Sequence, residues 1–270
     1  MTAQILDCTP DDYYARPGFS STVAKVLLAR SALHAKASVG MKPSGLLDRG
    51  SIIHRLVLGK GKDYAIVEAN DWRTNVAKAA RADARAKGLT PVLADDFEDY
   101  SKASAAISTQ LADRGIVLDG DSEVAIEWME GALQCKGMLD HLWIGDGVIL
   151  DLKVTENACP DAIERTAENL GYALQAAAYS RALAAVRPDL AGRVKFLFAF
   201  CEPDAPHAMN ICETSGVFRE LGERRWLRAC AEWQQCIERD RYPGYDEHGI
   251  NHINPPAWAL AREGYTIDER

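Results

Sequence analysis

An α/β (α+β) fold, with a mixed central sheet flanked by helices and a helical N-terminal part, is what this 270-residue sequence predicts. Three observations point there. Residues 1–115 place apolar side chains at helical spacing between Gly and Pro punctuation. Residues 122–154 switch to two-residue alternation, interrupted at Gly131 and at a Gly-Asp-Gly turn. Further on, a helix, a strand pair and a last helix follow in order, as expected of helices layered on a sheet.

The elements read as follows. Residues 20–38, SSTVAKVLLARSALHAKAS, open with two serines able to cap a helix. GSIIHRLVLG, 50–59, is a short apolar helix with Ile53, Leu56 and Val57 on one side. Alanine- and charge-rich stretches at 73–87 and 93–113 are amphipathic helices bounded by Gly88, Pro91 and Gly115. SEVAIEWM is a half-buried strand, with Val124, Ile126 and Trp128 on one face and Glu123, Ala125, Glu127 and Met129 on the other. LQCKGMLDHLWI returns after Gly131, and VILDLKV follows the hairpin at Gly145 to Gly147. NLGYALQAAAYSRALAAV is a long helix ending near Pro188. KFLFAFCE is a buried strand, HAMNICET a shorter one, and GVFRELGERRWLRACAEWQQCIERD a final amphipathic helix before a Pro/Gly/Asn-rich tail.

Composition narrows the class. With 47% hydrophobic and 26% charged residues the chain is an ordinary globular one, neither collagen-like nor disordered. A chain this long buries roughly 70% of its unfolded surface without help from disulfides. No apolar run reaches the ~18 residues that span a bilayer, and no secretory signal is visible, so a cytoplasmic protein is expected. Seven scattered cysteines fit a reducing compartment, and their spacing is too wide for an iron–sulfur cluster. The net charge of −8 is uneven. Residues 1–90 hold 14 Lys/Arg against 8 Asp/Glu, whereas 91–270 hold 17 against 31. A basic front half permits a DNA partner without requiring one.

The chemistry concentrates in Asp140 and in Asp151-Leu152-Lys153. Counting back from the Gly-Asp-Gly hairpin makes the two strands antiparallel neighbours whose carboxylates meet at one end. Alternation puts Asp151 and Lys153 on one face and Leu152 on the other. Charges flanked by core residues such as Ile149 and Leu150 are costly unless paired or bound to metal. Mg²⁺ is held by one or two carboxylates together with waters and phosphate oxygens. Such an ion lowers the pKa of a bound water, and Lys153 would orient that water or neutralise developing charge. Like charges this close repel without a metal, so losing Asp151 is expected to leave stability level or raised. Gln175 and Tyr179, four apart on an alanine-rich helix, share a face that would border the carboxylates. His54 lies in an apolar helix, where a lone histidine is ordinarily a core residue.

The runs GSIIHRLVLG, GMLDHLWIGDGVILDLKVTENA and GYALQAAAY, in that order, resemble the PD-(D/E)XK nuclease superfamily, in particular RecE-like exonucleases of phages and prophages. FSSTVAKVLLARSALHAKA, FAFCEPDAPHAMNI, the final helix and YPGY extend the likeness over most of the chain. Asp151 stands where the superfamily more often has Glu, as RecE-like members also do. The resemblance implies a restriction-endonuclease-like core within a single nuclease domain over 1–270: a helical portion at 1–115, the core at 120–240 and a tail at 241–270. It implies Asp140, Asp151 and His54 as metal ligands, Lys153 as the residue assisting the water, and Gln175 and Tyr179 as the QxxxY pair that touches DNA. Glu127 is a candidate ligand for a second metal. Ser20, Ser21 and Arg30 are candidates for a 5′-end pocket.

The implied activity is Mg²⁺-dependent (Mn²⁺ substituting) exonucleolytic resection of linear double-stranded DNA, 5′→3′, leaving 3′ single strands. The implied partners are duplex DNA with free ends, a single-strand annealing or recombinase protein, and further copies of the chain in a homo-oligomeric ring. The setting would be a bacterial or phage-infected cell. Two other readings compete: an endonuclease or Cas4-like end-trimming enzyme on the same core, and a non-catalytic DNA-binding protein.

Overall fold

The computed structural model describes residues 3–40, 48–245, 249–250 and 252–264. Parts of the expected tail (246–248, 251 and 265–270) lie outside the described residues. The elements, in order, are β1 (Gln4–Leu6), α1 (Pro10–Ala15), α2 (Ser21–Ala29), α3 (Ala32–Ser38), α4 (Asp48–Leu58), β2 (Tyr64–Val67), α5 (Asn75–Ala86), β3 (Thr90–Leu93) and α6 (Ala94–Asp113). There follow β4 (Asp121–Glu130), β5 (Leu133–Trp143), β6 (Val148–Val154), α7 (Pro160–Asn169), α8 (Tyr172–Val186), β7 (Lys195–Cys201), β8 (Met209–Glu213), α9 (Gly216–Glu238) and α10 (Ala257–Arg262). No helix among the described residues is long and apolar enough to cross a membrane.

Six strands form the main sheet in the order β1-β4-β5-β6-β7-β8. All neighbours are antiparallel except β6 and β7, which run parallel through the α7–α8 crossover. The mixed sheet flanked by helices is therefore as expected. The front of the chain is less purely helical than its periodicity suggests. β1 pairs with β4 at the sheet edge, and β2 and β3 form a separate parallel pair. These strands are three or four residues long, too short for alternation to register.

Local chemistry sets the breaks. Ser20 caps α2, accepting from the Val23 N–H, but Ser31 caps again, so residues 20–38 make two helices. Gly171, at φ 64°, separates α7 from α8, so the long helix starts at Tyr172. The sheet then buries both faces. α2, α8 and α9 cover one face through Val23, Leu174, Ala178 and Trp226 against Ile126, Leu139, Ile149 and the alternating Phe196, Phe198 and Phe200. α4 and α6 cover the other through Ile53, Ile107 and Leu111 against Leu150, Leu152 and Ala199. Each large side chain so buried contributes about 1.5–3 kcal/mol.

One close approach fixes α8, and with it part of the site. A Cβ at Gly222 of α9 would lie 2.1 Å from the Ala173 carbonyl oxygen, so only glycine lets α9 press on the first turn of α8.

Candidate active site

The β5–β6 ladder stops one residue short of the two aspartates. Its last pair toward them is His141–Leu150, so Asp140 and Asp151 stand opposite each other where the strands part. Asp140 uses the gap: its Oδ2 accepts from the Leu152 backbone N–H at 2.8 Å. On the other side of β5, Glu123 stands across from Asp140, between the pairs Ser122–His141 and Val124–Leu139. Glu123 has φ 54°, which takes it out of the ladder. A non-glycine residue there carries about 1–3 kcal/mol of strain, a cost concentrated at functional sites.

α4 brings His54 to the same place from one side of the sheet. Its Nδ1 is 3.6 Å from Asp140 Oδ2. His54, Glu123 and Asp140 each offer a ligand atom, and these atoms lie within 4.8 Å of one another. Glu123 is pushed up to about 8, first by burial and then by the charges of Asp140 and Asp151. Two carboxylates crowded together beside an imidazole, with no lysine or arginine paired to either among the described residues, are a donor set that fits a hard divalent ion.

α8 closes the site from the other face. Asp151 is fully buried. Its Oδ2 accepts from Gln175 Nε2 at 2.7 Å, and its Oδ1 faces the Lys153 ammonium without making a regular hydrogen bond. Burial pushes the Asp151 carboxyl up to about 6, Lys153 opposing the rise and Asp140 adding to it. For Lys153, burial works against the charge, but Asp151 and Asp140 outweigh it and hold the ammonium above its ordinary value. Lys153 also lies 4.8 Å from the centre of the Tyr172 ring. Gln175 Oε1 in turn accepts from Lys25 Nζ at 3.0 Å. Burial and then Lys153 lower Lys25 to about 8, which leaves it largely an ammonium at neutral pH.

Asp140, Asp151, Lys153, His54 and Gln175 thus come together. Tyr179 reaches the same region but is buried: it meets the Ser21 side chain and packs on Gly137, where a Cβ would lie 2.9 Å from its ring. Gln175, also buried, donates to Asp151, and Tyr179 packs one turn further along α8, so the pair borders the carboxylates as its spacing suggests.

Glu127 is elsewhere. Buried, it accepts from Arg16 Nε at 2.7 Å and from Gln4 at 3.5 Å, and stands across from Lys136. A carboxylate already satisfied by a guanidinium has little left to offer a second metal. Glu123, four residues earlier on the same strand, is the β4 glutamate that comes within 4.8 Å of ligand atoms of His54 and Asp140. The candidates for a 5′-end pocket do not converge either. Ser20 and Ser21 open α2, whereas Arg30 follows its last turn, about 14 Å along the axis. The seven cysteines are all free thiols.

Glu123 and Lys25 are the residues that sequence reasoning missed. The signal for Glu123 was present: counting back from the two-residue turn at Gly131-Ala132 puts Glu123, not Glu127, opposite Asp140. Lys25 carries no such signal, since a lysine among apolar helix residues ordinarily reaches solvent.

Comparison with known proteins places the fold. The profile of the family described as "PDDEXK-like domain of unknown function (DUF3799)" matches residues 28–250. The chain belongs to that family. Its fold is that of a candidate exonuclease from Eubacterium rectale at TM-score 0.62, with 14% identity, covering 96% of this chain and all of that one. A phage-related exonuclease from Haemophilus somnus 129PT aligns at TM-score 0.34 and 14% identity over 70% of this chain and 95% of its own. Among curated proteins none matches. The PD-(D/E)XK core expected from the RecE-like resemblance is therefore the observed one.

Proposed function

We propose that this PDDEXK-like protein is a Mg²⁺-dependent exodeoxyribonuclease that resects linear double-stranded DNA, with Mn²⁺ able to replace Mg²⁺. One observation carries the reading: Asp140 and Asp151 face each other where their strands part, with Lys153 two residues on and His54 and Glu123 alongside. Asp140, Asp151, His54 and Glu123 are the side chains that would hold metal. A divalent ion there supplies an acidified water and charge for the phosphate.

The chain's own groups do the rest. The Lys153 ammonium, held against Asp151 and the Tyr172 ring, is placed to orient the attacking water and offset charge on the phosphate oxygens. Gln175 holds the Asp151 carboxylate in one orientation. The exposed Lys60 and Lys62 flank Gly61, where a Cβ would lie 3.3 Å from a Glu123 carboxylate oxygen, so positive charge would rim the site where a DNA strand arrives.

The 5′→3′ direction, the 3′ overhang passed to an annealing or recombinase protein, the ring-shaped homo-oligomer and the cytoplasmic setting belong to the proposal through the RecE-like resemblance. The test is digestion of linear duplexes labelled at either end, beside a closed circle, with Mg²⁺ or with EDTA. Loss of label from the 5′ ends of linear DNA alone, in Mg²⁺ alone, is expected. Cutting of the circle would make the protein an endonuclease.

A further inference from the structure

We infer that Lys25 is a positioning residue of this site, fixing which way the Gln175 amide points and so which of its atoms meets Asp151. What the site does rests on the nuclease reading above; the geometry of the contact does not.

The argument is one of donors and acceptors. An ammonium has three donors and no acceptor, and an ionised carboxylate only acceptors. Gln175 stands between one of each: its Oε1 is 3.0 Å from Lys25 Nζ and its Nε2 is 2.7 Å from Asp151 Oδ2. Turning the amide over would set its NH₂ against the ammonium and its carbonyl against the carboxylate, two clashes in a buried place. The last torsion of a glutamine is otherwise broad and nearly two-fold, so without Lys25 half of that discrimination is gone.

Lys25 is itself held. Ser21 and Lys25 lie one turn apart on α2, as do Gln175 and Tyr179 on α8, and the helices join through two rungs, Ser21 to Tyr179 and Lys25 to Gln175. The Lys25 stem runs over Gly171, where a Cβ would lie 3.1 Å from its Cγ. Its ammonium lies 5.5 Å from the centre of the Tyr172 ring, which Lys153 also approaches. A chain of contacts thus runs from α2 through Gln175 to the buried aspartate.

The test is a double-mutant cycle with Lys25→Met and Gln175→Leu, read in two ways: single-turnover cleavage of a linear duplex with Mg²⁺, and Mn²⁺ affinity by calorimetry with no DNA present. Lys25→Met should lower the single-turnover rate constant and Mn²⁺ affinity by about 10- to 100-fold, as loss of groups that orient metal ligands does, with the concentration for half-maximal rate unchanged. Lys25→Arg, still a donor-only cation, should restore most of both. In the Gln175→Leu background Lys25→Met should add nothing, because its effect runs through the amide. Melting curves report folding, and Lys25→Gln, which offers an acceptor as well as donors, replaces Lys25→Met should that variant unfold. An effect of the same size in both backgrounds, or none in either, overturns the inference. A wild-type protein that cleaves no DNA would sink the nuclease reading, and the Mn²⁺ cycle would still decide the role of Lys25.

Discussion

Strand β4 carries three glutamates in eight residues, and the chain treats them in two ways. Glu127 meets Arg16, and Glu130 meets Arg181 through two bonds of 2.7 and 2.6 Å as well as the indoles of Trp128 and Trp226. The Arg16 hydrogen bond holds Glu127 below the usual carboxylate range. Burial works against ionisation of Glu130, yet its guanidinium and indole donors still bring it below that range. Glu123 has no arginine or lysine ion pair among the described residues, and burial with the charges of Asp140 and Asp151 pushes it up to about 8. Acids that the fold uses for its own stability come with a cation. The acid beside Asp140 has no such partner among the described residues, and the proposed metal would be the cation that compensates it.

The largest test of this contrast is at Asp151. Asp151→Asn should cut cleavage by about 100- to 1,000-fold or more, as loss of electrostatic stabilisation at a reacting phosphate does. Asp151→Ala should also destabilise. Sequence alone suggests relief of repulsion, but the structure shows Lys153 depending on Asp151, and a buried charge stripped of its partner costs about 3–5 kcal/mol. Denaturant unfolding of metal-free protein checks the second effect, and an unchanged midpoint would mean that the Asp151–Lys153 pair contributes nothing.

Next is Glu123. Its folded pKa lies above the ordinary value of 4.5, so its penalty is absent below pH 4.5, grows as pH rises and is complete above about 8. Metal-free Glu123→Gln should therefore melt above the wild type at pH 8, the gap closing toward pH 4.5. Saturating Mn²⁺ should reverse the order, because only the wild type gains full ligand-binding stabilisation. Melting curves across that range decide it.

Arg16→Ala addresses the paired class. It should lower stability near neutrality by leaving the buried Glu127 without its guanidinium donor, read as a lower denaturation midpoint. Because Glu127 is held below 4.5, that contribution is present above pH 4.5 and fades as pH falls through the lowered value. Cleavage should stay at the wild-type rate; a collapse of activity would return Glu127 to the site.

The smallest effect concerns the rim. Arg49 and Arg55 are engaged with Asp204 and Asp63, whereas Lys60 and Lys62 are exposed beside the loop that touches Glu123. Lys60→Ala with Lys62→Ala should flatten the salt dependence of DNA binding by about 0.9 in log–log slope for each phosphate left without its lysine. Arg224→Ala with Arg228→Ala, on α9, is the control. Equal weakening by both pairs would make the basic front half incidental.

How much was legible in the sequence follows from range. The Gly-Asp-Gly hairpin set the register of β5 and β6 locally, so the pairing of Asp140 with Asp151 could be counted. Glu123 was countable in the same way from the turn at Gly131, but alternation alone placed Glu123 and Glu127 on one face without separating them. Their separation depends on Arg16, 111 residues away in sequence. Lys25 meets Gln175 across 150 residues. Strands β1, β2 and β3 are stabilised by partners rather than by their own pattern, so their short runs disappear between helices.

The contrast between paired and unpaired glutamates is tested most directly by titrating Mn²⁺ into metal-free wild type, Glu123→Gln and Glu127→Gln and measuring binding by calorimetry. The account predicts binding to the wild type, about 10- to 100-fold weaker binding to Glu123→Gln, and wild-type affinity in Glu127→Gln. Full affinity in Glu123→Gln together with loss in Glu127→Gln would contradict it.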